Sequence, residues 1–490
     1  MSEAQTQSEP MPKISFTLRE QLMLAGLMMQ STMALIDVGM FNVAVPSIQN
    51  EYSLPVDTVS LIVAIRYLPR LGLMPIYGFI GDRLGKKRTY LTGLVIFIFG
   101  SIIGWISPSL TWLVVGRFLQ GVGGGSLPLS MALITDAFSR DRRGRALGIW
   151  NSAAPAGSMI GPLLGGILIE AFGWKSIFAV VIIGSSLAWI SIFRLVPTPV
   201  KSQKSQSDFD WSGAMGLITF VTSFLLATTT SSVIPFGSTL NYVFWALTAS
   251  GLIVLVFNAV RNPNPIIGGS EIKNPRLILP SIAVNFRMIA HTGTSFLLVL
   301  YITNVFQRSP SAVGTFVLFY SLAAMIGVPL GGFLADRWIS RKAGSFGLFI
   351  LAAGMVWLGW ITPGANPLTL MPGMILSGLG AGLCLVAFTK EAVASLGEDK
   401  VGLASGLYNM LRFTGASLSV PTMGLILAAA YERYAGGEFV SGPYQLGFQI
   451  LTLTTIVGVI VAASIPSPSL NEEAENRELA QSADSHSTES

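Results

Sequence analysis

Apolar residues in this chain gather into fourteen long runs separated by charged or Pro/Gly-rich breaks. The runs cover approximately 21–45, 56–80, 89–106, 112–135, 146–169, 175–194, 212–230, 241–260, 278–304, 311–334, 345–362, 368–389, 402–429 and 446–465. A helix needs roughly 18 or more apolar residues to cross the hydrocarbon of a bilayer, and these runs have that length. Composition agrees. Charged residues make up 11% of the 490, against roughly 25% in soluble domains. Hydrophobic residues make up 51%, and the mean hydropathy is +0.63. The expected fold class is therefore an all-α membrane protein with fourteen transmembrane helices.

The single cysteine, Cys384, lies within an apolar run, so no intramolecular disulfide or cysteine-type zinc site is expected and packing is its role. Residues 1–20 are polar and form an N-terminal segment. The first run is too long for a signal-peptide core. The tail 467–490 is rich in Glu, Ser and Asn and is expected to be disordered.

Lysine and arginine orient the spans. With a cytoplasmic N-terminus, 22 of the 30 fall in cytoplasmic segments, and only Lys175, Arg308 and Arg433 fall outside. The other five, Arg66, Arg70, Arg117, Arg287 and Arg412, lie within spans. This bias follows the positive-inside rule and predicts that both termini are cytoplasmic. It also accounts for the net charge of +5 without nucleic acid as a partner.

The chain repeats itself. GFIGDRLGKKR at 78–88 closes the second span and GFLADRWISRK at 332–342 closes the tenth, with Gly, Phe, Asp and Arg in register 254 residues apart. Two parallel repeats about an axis along the membrane normal produce such a pattern. The expected organisation is an N-terminal six-helix half (21–200), two inserted helices with their linkers (201–276) and a C-terminal six-helix half (277–466).

At this point the sequence resembles the major facilitator superfamily, in its fourteen-span drug:proton antiporter branch of multidrug efflux type. Residues 78–88 are similar to the superfamily's cytoplasmic loop motif, G-x-L-A-D-R-x-G-R-K. RFLQGVGGG at 117–125 is similar to R-x-x-Q-G of span 4, and GSMIGPLLGG at 157–166 to the antiporter motif G-x-x-x-G-P-x-x-G-G of span 5. LIDVGMFNVAVP at 35–46 resembles the span-1 pattern of the branch, and ASGLYN at 404–409 with Arg412 its span-13 pattern. The resemblance implies the major facilitator fold and proton-coupled export by alternating access. It implies a cytoplasmic latch at Gly78, Gly81, Asp82, Arg83, Gly85 and Lys86, with Asp136 and the second copy, Asp336 and Arg337. Asp82, Arg83 and Asp136 would be its charges.

Physical reasons stand beside the resemblance. Glycines spaced four apart let membrane helices pack backbone to backbone, so Gly157, Gly161, Gly165 and Gly166 around Pro162 read as a packing or gating surface. Of 25 acidic residues, only Asp37 lies well inside a span. A carboxylate in hydrocarbon is costly and marks a functional candidate. Carboxylates hold protons more tightly when desolvated and less tightly beside a cation, so a group balanced between the two can load and release protons. Asp37 lies about 12 Å from the outer end of its span at 1.5 Å per residue. Arg66 and Arg117 lie at similar depth, and at least one of them is expected to contact Asp37. Arg117 with Asp37, and His291 with its near-neutral titration, are the proton-coupling candidates.

Arg66 and Arg70 share one helix face, as do Arg287 and His291. Arg117 and Arg287 are near enough to span ends to snorkel. Arg66 and Arg70 are too central. The antiporter branch usually shows a tyrosine near Arg66, so this chain departs from it there. Five deep arginines against one aspartate repel a cationic drug and suit a carboxylate or phosphate. Arg66, Arg70, Arg287 and Arg412 are accordingly the substrate-binding candidates, and export of an anionic or lipid-like metabolite is the alternative to general drug efflux.

Other classes fit poorly. There is no G-x-x-x-x-G-K-[ST] loop for a nucleotide. An enzyme needs clustered His, Asp, Glu or Cys, and this chain has two histidines, one of them in the tail. A transporter-like sensor would show damaged gating motifs or a large extra domain. The expectation is a cell-membrane carrier without cofactor or metal, working as a monomer on small molecules and protons.

Overall fold

The computed structural model describes residues 16–139, 142, 146–147, 149–150, 153–197, 210–229, 238–262, 265, 273–361, 366–396, 401–434 and 441–466. The polar N-terminal segment before Phe16, the linker residues 201–209 and the tail from 467 lie outside the described residues.

The described secondary structure is entirely helical. The first bundle comprises α1 (Leu18–Tyr52), α2 (Val56–Ala64), α3 (Tyr67–Leu84), α4 (Lys86–Ile106), α5 (Leu110–Gly124), α6 (Pro128–Ala137), α7 (Ala153–Phe172) and α8 (Ser176–Leu195). Then come α9 (Trp211–Thr229) and α10 (Thr239–Arg261). The second bundle comprises α11 (Pro275–Asn304), α12 (Pro310–Arg337), α13 (Ser340–Gly359), α14 (Met371–Ala394), α15 (Val401–Tyr434) and α16 (Gly442–Ala463). Among the described residues twelve helices are long and apolar enough to cross a membrane, and a thirteenth crossing results if the bent pair over 56–84 is one span. The remaining apolar run, 112–135, is divided between α5 and α6.

Local chemistry explains the ends and breaks. The Thr17 side chain accepts from the backbone N–H of Glu20, and Glu20 accepts from that of Thr17. This reciprocal cap starts α1 before the apolar run begins. The second span is bent by 49° between its stretches 56–74 and 76–84, and its helix is interrupted at Ile65 and Arg66, between α2 and α3. The fourth breaks after the run Gly121–Gly125, at a turn leading into Pro128.

Packing follows the repeat. In the first bundle α1 lies against α7 and α8, and α4 against α5 and α8. The second bundle has the same partners in the same order: α11 against α15 and α16, and α13 against α14 and α16. Small residues set these distances. A Cβ on Gly157 would lie 2.7 Å from the Thr32 carbonyl oxygen, and one on Gly161 2.8 Å from that of Ile36. Cys384 is buried against Gly347 in the second bundle, where its thiol points at the Ala381 carbonyl, 3.6 Å away.

The bundles touch where charge bias places their outer ends. A Cβ on Gly166 of α7 would lie 2.3 Å from the Pro310 carbonyl oxygen at the start of α12, and one on Gly314 2.4 Å from that of Pro162. Glu170 of α7 accepts from the backbone N–H of Ser311 at 3.1 Å, in the first turn of α12. On the opposite flank α2 packs on α15, and a Cβ on Gly424 would lie 2.2 Å from the Ser60 hydroxyl. The inserted α9 lies over the seam between α3 and α15, with Leu217, Val221 and Leu225 against Leu68 and Leu71. α10 packs on α9, and several of its apolar side chains, Val260 and Phe257 among them, are exposed.

Candidate functional site

Asp37 is completely buried in the first bundle. Arg66, at the break between α2 and α3, donates from Nη1 to Asp37 Oδ2. Arg117 of α5 donates to the same oxygen at 2.9 Å. Gln120, one turn further along α5, donates from Nε2 towards Asp37 Oδ1 at 3.4 Å and to the Ser101 hydroxyl of α4 at 2.8 Å. Its own carbonyl oxygen accepts from Arg117 at 2.8 Å. The carboxylate thus ties α1 to the broken second span and to α5, and Gln120 extends the network to α4.

Backbone geometry makes this possible. A Cβ on Gly121 would sit 2.2 Å from the carbonyl oxygen of Arg66, so only glycine lets α5 approach the broken second span this closely. Gly161 packs in the same way on the carbonyl of Ile36, next to Asp37. The R-x-x-Q-G segment therefore supplies a cation, an amide and a close approach to one centre. Gln120 escaped a reading that searched for titratable groups, although its i, i+3 spacing from Arg117 placed both on one face.

Several expectations change. Arg117 is 1% exposed and does not snorkel. It turns inward to Asp37, with its guanidinium carbon 3.8 Å from the Phe41 ring centre. Arg66 serves Asp37 and the Ala34 carbonyl, at 3.2 Å, which takes it out of the set free to hold substrate. Arg287 is also buried rather than snorkelling, and donates to the Ala381 carbonyl at 2.9 Å. His291 lies in the second bundle, apart from Asp37. Its Nδ1 is 2.6 Å from the Tyr320 hydroxyl, and the two rings stack at 5.2 Å.

Arg70 and Arg412 remain. Their guanidinium carbons lie 4.6 Å and 5.3 Å from the centre of one ring, that of Phe413. Among the described residues neither makes an ion pair, and the Nε of each is buried without a hydrogen-bond partner.

At the ends that the charge bias assigns to the cytoplasm, the latch charges differ from expectation. Lys86, not Arg83, reaches Asp136, at 2.8 Å. Arg83 lies over the Phe79 ring at 4.4 Å, one turn back on its own face. The repeat reproduces that detail, with Arg337 4.1 Å from Phe333. Its ion pair has the opposite sense, because the residue 254 positions after Asp136 is Lys390, which pairs with Asp336 at 2.7 Å. Gly78 has open space around it. Gly85 has a φ of +99° and needs to be glycine for the turn between α3 and α4. In the span-5 motif, Gly157, Gly161 and Gly165 pack on α1, while Gly166 alone faces the other bundle, beside the Pro162 carbonyl that meets Gly314.

Two matched helical bundles of membrane-spanning length, one of them holding a buried charge cluster, have the architecture of a membrane transport protein. Residues 27–420 and 280–485 match the Major Facilitator Superfamily, and the chain belongs to that family. It is a multi-span transporter and not an enzyme. It is 29% identical to the multidrug resistance protein Stp of Mycobacterium tuberculosis over 399 residues, 81% of this chain and 74% of that one. It is 26% identical to the drug efflux pump JefA of the same species over 402 residues, 81% of this chain and 78% of that one. Among solved structures, the POT family transporter PepTSo superposes with a TM-score of 0.68 at 14% identity, covering 90% of this chain and 98% of that one. The human organic anion transporter MFSD10 superposes with a TM-score of 0.61 at 15% identity, covering 91% and 100%.

Proposed function

We propose that this transporter exports small organic or amphipathic molecules in exchange for protons, by rocking its two halves, 21–200 and 277–466, around a central site. One observation carries the reading. Asp37 is fully buried and binds both Arg66 and Arg117. A protonated Asp37 no longer balances two guanidiniums, so loading it loosens the junction of α1, α3 and α5. Release of the proton restores the junction. His291, hydrogen-bonded to Tyr320, is the second proton-exchanging group. Relatives named as drug efflux pumps support the export direction.

The working arrangement is fourteen crossings in the cell membrane, with both termini cytoplasmic and a monomer as the functional unit. In the present conformation the outer ends are closed by Gly166, Gly314 and Glu170. The Lys86–Asp136 and Lys390–Asp336 pairs act at the inner ends as latches. A second reading, that the cargo is an anion, is favoured by Arg70 and Arg412, which make no ion pair with a carboxylate among the described residues.

The test is efflux of a fluorescent organic substrate from proteoliposomes under an imposed pH gradient. Asp37→Asn should abolish the dependence of flux on the gradient. Retained coupling would remove Asp37 from the mechanism.

A further inference from the structure

The space around Phe413 joins the two halves. Arg70 comes from α3 and Arg412 from α15, and both guanidiniums flank the same ring. Their charged carbons are therefore at most about 10 Å apart, a distance over which poorly solvated like charges still repel. Arg66 and Arg412 both act on Arg70 with like charge. The one deep carboxylate, Asp37, is already shared by Arg66 and Arg117. Glu391, near the inner end of α14, is occupied by Arg276 at 3.1 Å.

Arg70 is 5% exposed, and a guanidinium that deep is normally paired or fully hydrogen-bonded. Arg412 and Phe413 are half-buried where the two bundles meet. Close by, Tyr67 of α3, Met288 of α11 and Ala416 of α15 form an apolar patch shared by both halves. Two unpaired forks, an aromatic floor and an apolar wall suit one kind of guest: a planar anionic head on a flat, apolar body.

We propose that Arg70 and Arg412 form the substrate site, and that it takes amphipathic organic anions such as aromatic carboxylates or sulfonates. The proposal deepens the transport reading above and rests on it. The anion is the missing counter-ion of both arginines. Without it, mutual repulsion keeps the two halves from closing around the site. With it, one head group bridges α3 and α15, so occupancy permits closure. Arg66, Arg117 and Arg287 hold their own partners and stay out of the site.

Equilibrium binding tests this separately from proton coupling. Full-length protein in lipid nanodiscs is titrated with two xanthene dyes of similar size, anionic carboxyfluorescein and cationic rhodamine 6G, by fluorescence anisotropy. Carboxyfluorescein should bind saturably and in preference to rhodamine 6G. Arg70→Gln and Arg412→Gln should each weaken it about tenfold or more, the scale of one lost charge-assisted contact. Arg70→Lys, which keeps charge but loses the planar fork, should fall between. Neither glutamine variant strands a carboxylate, and size-exclusion and melting profiles establish which of them is folded. If only one of them folds, that one decides. Preference for rhodamine 6G, no binding of carboxyfluorescein by the wild type, or unchanged affinity in a folded glutamine variant would overturn the proposal. Asp37→Asn should still bind carboxyfluorescein. Loss of pH-driven flux with intact dye binding, or the reverse, separates failure of one idea from failure of the other.

Discussion

Replacing Asp37 with asparagine strands two guanidiniums at once. Asp37 Oδ2 accepts from Arg66 and from Arg117, and Oδ1 faces Gln120. Removing one partner of a buried ion pair costs about 3–5 kcal/mol, because the other charge is left uncompensated. Asp37→Asn should therefore lose stability on that scale. Arg66→Gln is milder. It leaves the carboxylate with Arg117 and Gln120, and forfeits about 1.5–3 kcal/mol, the worth of one charged hydrogen bond. The double variant Asp37→Asn with Arg66→Gln holds one stray guanidinium instead of two. It should be more stable than Asp37→Asn alone, by about 1–2 kcal/mol, which is a coupling of the sign expected for contacting residues. The order to be measured is wild type, Arg66→Gln, the double variant, then Asp37→Asn, by thermal unfolding of detergent-purified protein. Proteoliposome flux on the same samples should be uncoupled from the pH gradient in both asparagine variants. A double variant whose loss equals the sum of the singles would refute the shared-oxygen account.

Three further outcomes can be checked. Gly121→Ala places a methyl 2.2 Å from the Arg66 carbonyl oxygen and should cost about 1–3 kcal/mol together with coupled flux. Gly124→Ala, whose new methyl would be 3.7 Å from its nearest neighbour, serves as a near-neutral control in the same melting and flux assays. Asp136→Asn and Lys390→Ala break half-exposed ion pairs worth about 0.2–1 kcal/mol, so each should change turnover no more than about fivefold and leave the melting temperature unmoved. Exchanging the second pair, Asp336→Lys with Lys390→Asp, should restore the wild-type rate. Gly166→Ala forces α7 away from Pro310 and should hold the outer ends apart. In a Cys384→Ala background, Ser311→Cys should then react faster with an impermeant maleimide than it does with Gly166 intact.

The membrane class, the runs and the repeat could be read from residue order because they depend on local composition: apolar length, basic loops, and an Asp-Arg pair returning after 254 positions. Asp37 stood out because it is alone. Its partners were half visible, since depth along a helix can be counted, whereas rotation about the helix axis depends on neighbours. Rotation decided that Arg117 turns inward, that Arg66 is taken by Asp37, and that Lys86 rather than Arg83 meets Asp136. The division of the fourth span at Gly125–Leu127 was signalled by Pro128 but overridden by continuous apolarity. Gln120 and Tyr320 were missed because a neutral partner gains its meaning only from the charge or ring placed beside it.

The inserted helices have a consequence in the plane of the membrane. Internally the carrier is two-fold, and its halves meet along two seams. α9 covers one, with Ile218 seated at Gly72 and Trp211 edge-on to Phe79, while α7 and α12 meet at the other without such a cover among the described residues. A molecule dissolved in the lipid meets a wall at the α3–α15 flank and bare helices at the α7–α12 flank. The two-fold arrangement of the bundles is thus absent from the outer surface of the molecule, which has a front and a back.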